Sequence, residues 1–232
     1  MNEYAEQLTV SQAESSERAA FIRRTYAHLA GALLLFAGLL AYLIQTPLAE
    51  QFVGFIARSR FGWLAVMGGF VAFGWLARGL ASGSASQTMQ YLGLTLYVIA
   101  EAVIFVPIMY MAAFYSSPSV IPTAGILTAA LFAGLTAVVF TTRKDFSFLR
   151  GILVIGGFVA IGLIVAGAII GFDLGMVFSA VMIGLAGAAI LYDTSKIMLH
   201  YRTDQHVGAA LELFASVALL FYYVLRLVMN RR

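Results

Sequence analysis

Gly184–Arg202 reads GLAGAAILYDTSKIMLHYR, and its reading decides the fold. The first half is apolar and rich in Gly and Ala, a composition that lets membrane helices approach closely. One carboxylate, Asp193, then falls about two turns before the chain turns polar. A lone acid in hydrocarbon costs roughly 2.5–3.5 kcal/mol on insertion scales, so it needs a partner, a wet cavity or a function. The expectation is a helical cage built around this acid.

The composition outside this stretch supports a membrane setting. Of 232 residues, 62% are hydrophobic and 11% charged, against about 45–50% and about 25% in soluble domains. The net charge of +3 does not point to nucleic acid, because Arg and Lys sit at span ends and no basic run has interleaved aromatics. There is no cysteine, which excludes disulfides, thiolate metal sites and a cysteine nucleophile. His28, His200 and His206 form no close metal-binding pair along the chain.

A span needs about 20 mostly apolar residues. Seven stretches qualify: Tyr26–Ile44, Phe61–Leu80, Gln90–Ala113, Val120–Phe140, Leu149–Gly171, Leu174–Leu199 and Val207–Met229. The fold class is an all-α integral membrane protein of seven transmembrane helices. Residues 1–20 read as a polar, solvent-exposed cytoplasmic tail, at most a loose amphipathic turn. Their start is acidic, unlike a signal peptide. Residues 21–232 read as one transmembrane domain. Gly171-Phe172-Asp173 predicts a tight hairpin, and Pro107 a kink in the third span. Trp63, Trp75, Tyr91 and Tyr222 read as interfacial anchors.

Orientation follows the excess of Lys and Arg in cytoplasmic loops. With the N-terminus inside, the cytoplasmic side holds Arg18, Arg23, Arg24, Arg78, Arg143, Lys144, Arg150, Lys196 and Arg202; the other side holds Arg58, Arg60, Arg226, Arg231 and Arg232. The balance favours a cytoplasmic N-terminus and an external C-terminus.

Few polar residues lie in the spans. Glu101 falls near the middle of the third, Asp193 towards the cytoplasmic end of the sixth, and Glu212 about 8 Å into the seventh. Ser216 lies one turn beyond Glu212 on the same face. Asp193 and Glu212 flank one short loop, so their helices are expected side by side. Facing acids raise one another's proton affinity, and once ionised they can hold a divalent cation. With Ser216, backbone and water they suit a weak, transient Ca²⁺ site. The competing reading is a local ion pair of Asp193 with Lys196 or His200, with Glu212 simply solvated and Glu101 a neutral buried acid. No HExxH, GxSxG or Walker loop is present, so no enzyme is expected and no resident cofactor is implied.

Several segments carry a family resemblance: Arg24-Thr25-Tyr26, TTRKDFSFL (Thr141–Leu149), LYDTSKI (Leu191–Ile197) and ALELF (Ala210–Phe214). In combination they resemble the Bax inhibitor-1 family, in a bacterial form, over essentially the whole chain from Arg23 to Leu227. The resemblance implies a central helix surrounded by six others. It also implies a pH-sensitive calcium leak in the cell inner membrane, with a proton-sensing aspartate pair on the sixth and seventh helices and an arginine latch on the second. Asp193 matches the first aspartate and Arg78 lies close to the latch. The second aspartate falls on Ser216, a departure from the pattern, with Glu212 one turn earlier. Some bacterial relatives instead bind and modulate an AAA-type membrane protease that grips a cytoplasmic N-terminal tail. That role is the alternative for this chain.

Overall fold

A computed structural model describes residues 9–58, 61–81 and 86–230. Among them the chain forms eight helices: α1 (Ser15–Leu43), α2 (Pro47–Arg58), α3 (Gly62–Leu80), α4 (Gln87–Tyr115), α5 (Val120–Thr142), α6 (Leu149–Ile170), α7 (Gly175–Leu199) and α8 (His206–Met229). Six of them, α1 and α4–α8, are long and apolar enough to cross a membrane. The expectation of seven spans is met in part. α3 coincides with the second predicted span, but its apolar stretch is only Leu64–Leu80.

The extra helix, α2, lies where no element was expected. At 12 residues it rises about 18 Å, too short to cross about 30 Å of hydrocarbon. It packs on α3 and α4 at the end of the bundle remote from the N-terminus, here termed the distal face.

The tail is also corrected. α1 starts eleven residues before the predicted span, and Thr9 and Val10 are tied to the turn between α7 and α8. Thr9 bridges to Arg202, and Val10 N–H donates to the Tyr201 carbonyl at 2.8 Å. Arg18 closes the turn by donating through Nε to the Val10 carbonyl at 2.9 Å. Val10 is 0% exposed, because its side chain joins the main core of the bundle. Residues 1–8 lie outside the described residues.

α8 forms the heart of the bundle. It packs against α1, α4, α5 and α7, while α6 packs on α7 and α3 on α4. One helix is therefore enclosed chiefly by four, with α3 and α6 stationed further out. Leu211, Leu213, Phe214, Leu220 and Leu225 of α8 are fully buried. Phe36 packs edge-on against Phe105 at 5.0 Å and Phe214 at 5.6 Å, joining α1, α4 and α8. Glycine sets the closest approach elsewhere: a Cβ at Gly93 would lie 2.7 Å from the Ala77 carbonyl oxygen, so α3 and α4 meet backbone to backbone.

The expected α6–α7 hairpin is present. Gly171 ends α6 with φ 89°, a conformation that costs glycine no Cβ clash. Asp173 then accepts from the Gly175 N–H at 3.1 Å. α4 continues through Pro107, which lacks the N–H needed for one backbone bond.

Candidate functional site

The proximal face gathers the start of α1, the end of α3, the α5–α6 turn and the α7–α8 turn. Asp193 lies on the inner side of α7, 7% exposed, and its Oδ2 accepts from the Ser216 hydroxyl of α8 at 2.6 Å. The Gly- and Ala-rich run before it explains the approach: Ala186, Gly187 and Ile190 are buried on the same helix and bring α7 onto α5 and α8. The partner of Asp193 is thus a hydroxyl on the helix expected, at the position where the resemblance places a second aspartate.

Glu212 enters the site differently. Arg78 at the end of α3 reaches it, Nε to Oε1 3.3 Å, with both side chains partly exposed. Arg78 also donates to the Tyr97 hydroxyl at 3.3 Å and lies 5.2 Å from the centre of that ring. One turn along α4 from Tyr97 stands Glu101, 7% exposed. Its Oε2 is buried with no hydrogen-bond partner among the described residues.

Lys196 does not neutralise Asp193 by a local ion pair. Its ammonium lies between two rings, 5.3 Å from the centre of Tyr192 and 5.0 Å from that of Tyr201. His200 also turns away, with Nε2 3.3 Å from Asp145 of the α5–α6 turn. Ser147 donates to the Asp145 carboxylate from its hydroxyl and its N–H, and with His200 beside it this holds the Asp145 carboxyl below the usual carboxylate range.

Asp193, Glu212, Ser216 and Glu101 line one cavity of about 1060 Å³. Its polar end lies on the proximal side. It extends along α7 to Leu174, Asp173 and Arg226 on the distal face, where Arg226 pairs with Asp173 at 3.3 Å. Gly175 to Asp193 is about 27 Å of helical rise, close to the thickness of the hydrocarbon core. The distal ion pair went unforeseen, because it links residues 53 positions apart.

A second cluster also escaped the sequence. His28 and His206, far apart in the chain, have ring centres 5.0 Å apart, with Tyr91 5.4 Å from His28. The Tyr91 hydroxyl lies 3.4 Å from His206 Nε2, so Tyr91 does more than anchor an interface. Distant along the chain, the two histidines are brought together by the crossing of α1, α4 and α8. No group of three or more His, Cys, Asp or Glu able to hold a metal ion occurs among the described residues.

The fold and site define a multi-pass, all-α membrane protein with buried acids in a cavity that runs the depth of its helices. The chain belongs to the Bax inhibitor-1 family: residues 18–232 match the family described as inhibitor of apoptosis-promoting Bax1. It is 32% identical over 231 residues to an uncharacterised protein of Pseudomonas aeruginosa, covering 98% of this chain and 96% of that one. It is 35% identical over 102 residues to the modulator of FtsH protease YccA of Escherichia coli, covering 44% of this chain and 46% of that one. It is 30% identical over 124 residues to an uncharacterised membrane protein of Vibrio cholerae, covering 51% and 53%. No solved structure matches.

Proposed function

We propose that the protein is a proton-responsive cation leak of a bacterial inner membrane, with its N-terminus and the acidic end of its cavity facing the cytoplasm. One observation carries this reading: Asp193, buried on the cavity wall, is held by Ser216 within the same cavity that Glu101 and Glu212 line. Ionised carboxylates in a narrow, water-filled passage concentrate cations. Ca²⁺ is the cargo, because it accepts a changing set of oxygen ligands, which here are Asp193, Glu212, the Ser216 hydroxyl, backbone and water. Arg78 acts as the latch, tying α3 to α8 through Glu212. Protonation of Asp193 removes the charge that the Ser216 hydroxyl serves, and so loosens α7 from α8 beside that latch. The reading assigns no catalytic chemistry to the chain. Reconstitution in vesicles loaded with a calcium dye tests it. Leak above that of empty vesicles is expected, with a dependence between about pH 6 and 8 that Asp193→Asn abolishes. Equal leak with and without the carboxylate at every pH removes Asp193 from the mechanism.

The kinship with a modulator of FtsH protease favours a second reading, a non-conducting regulator of an AAA-type membrane protease. The segment offered to the protease is then residues 1–8, since Val10 and Ala13 are buried in the fold. Deleting 1–8 is expected to weaken co-purification of the protease after gentle extraction while leaving ion flux unchanged. Undiminished co-purification overturns the role of that segment.

A further inference from the structure

The large cavity has two chemically different halves. Asp193 and Glu212 occupy the proximal half, with Glu101 near its inner limit, whereas Asp173 at the distal rim is paired with Arg226. The distal half lies between α3 and α6, which pack on α4 and α7 respectively. Its walls are apolar, from Leu64, Met67 and Val71 of α3 to Ile161, Ile164 and Val165 of α6. Val71 and Ile161 are each about half exposed, which in a bilayer means exposed to lipid. Gly68 and Gly157 leave the walls hollow: a Cβ at either meets nothing within 4 Å. Arg226 stands at the distal rim with one donor on Asp173, and a guanidinium has five.

We infer that the distal half of this cavity is a binding site for one membrane phospholipid, entering sideways between α3 and α6, with an acyl chain in the hollow and its phosphate at Arg226. Depth favours this occupant. A tail from one leaflet reaches about half of the roughly 30 Å hydrocarbon core, so it ends near the level of Glu101, midway along α4, short of Asp193 and Glu212. Charge agrees as well, because among the described residues lining the cavity Arg226 is the one cation and sits at headgroup height, and Arg suits bidentate contact with phosphate. The bound tail keeps the acid-lined half from opening sideways into the bilayer. The site stands on this geometry whether or not the protein conducts.

The test uses the full chain in vesicles of phosphatidylethanolamine and phosphatidylglycerol doped with a phospholipid carrying a photoreactive acyl chain. Labelling is expected to concentrate on Val71 and Ile161 over Ile126, which is exposed on α5. Gly68→Trp fills the hollow and is expected to lower that labelling at least about fivefold, a change of under one decade in occupancy. Gly134→Trp is the control, because Gly134 has open space around it but does not line the cavity. Arg226→Gln is expected to reduce labelling, whereas Asp173→Asn, which frees the guanidinium, preserves it. Gly157→Trp serves if Gly68→Trp loses its helical circular dichroism. Labelling spread evenly over α3, α5 and α6, or unchanged when the hollow is filled, overturns the site. So does finding the groove occupied by an apolar partner helix in place of lipid.

Discussion

Truncating Ser216 to Ala removes the hydrogen bond that joins α7 to α8 through the buried acid. The bond is 2.6 Å long and lies between groups that are 7% and 8% exposed, so only a small part of either meets the cavity. Hydrogen bonds to charged groups contribute about 1.5–3 kcal/mol in soluble proteins. Interhelical bonds in membranes average about 0.6 kcal/mol and reach about 1.7, because the unfolded chain also finds partners there. A short bond to a carboxylate belongs at the upper end of the membrane range, so the coupling between Asp193 and Ser216 is expected to be about 1.5 kcal/mol. The assay is a double-mutant cycle of Ser216→Ala, Asp193→Ala and the double variant, read from reversible unfolding in mixed micelles by circular dichroism. A coupling below about 0.5 kcal/mol lies within ordinary additivity. It would refute the claim that this bond clamps the two helices, and with it the proton response proposed here.

Gly93→Ala and Gly208→Ala force a Cβ to 2.7 Å from the Ala77 carbonyl oxygen and 2.8 Å from that of Ala81. Each is expected to cost about 1–3 kcal/mol, as overpacking does, whereas Gly134→Ala, in open space, gains up to about 1 kcal/mol of helix propensity; unfolding titrations compare the three. Arg78→Gln breaks a pair whose side chains are 44% and 36% exposed, so its stability cost is expected to stay below about 1 kcal/mol. Its effect appears as raised calcium leak at neutral pH, and a wild-type leak profile contradicts the latch. Asp145→Asn tests the α5–α6 turn: a carboxyl held below its ordinary value stabilises the fold above the usual carboxylate range, near pH 4, and loses that contribution as pH falls through the lowered value. The variant is therefore expected to melt slightly lower than wild type at neutral pH. The difference should vanish in acid; a difference that persists there refutes the assignment.

Hydropathy is a local property, and the spans followed from it. α5, α6, α7 and α8 each begin and end within two residues of the predicted bounds, because a bilayer demands long apolar runs with internally bonded backbones. Asp193 was legible for the same reason, as a charge where hydrocarbon was due. Its neighbourhood with α8 followed from the short turn between Leu199 and His206. α2 was not legible: Pro47–Arg58 mixes polar and apolar residues over too few turns to signal a span.

What the sequence determined by itself was the class of protein, most of its helix boundaries and the lone acid of α7, since each is written in consecutive residues. The tertiary structure alone decided the partners. Asp193 takes Ser216 rather than Lys196, Glu212 takes Arg78, His28 meets His206, and Val10 is drawn from the polar tail into the core. These pairings join residues many turns apart, and several side chains had a plausible partner nearer in the chain. Which one won depended on how α8 seats among α1, α4, α5 and α7, and the packing of glycine and alanine faces sets that.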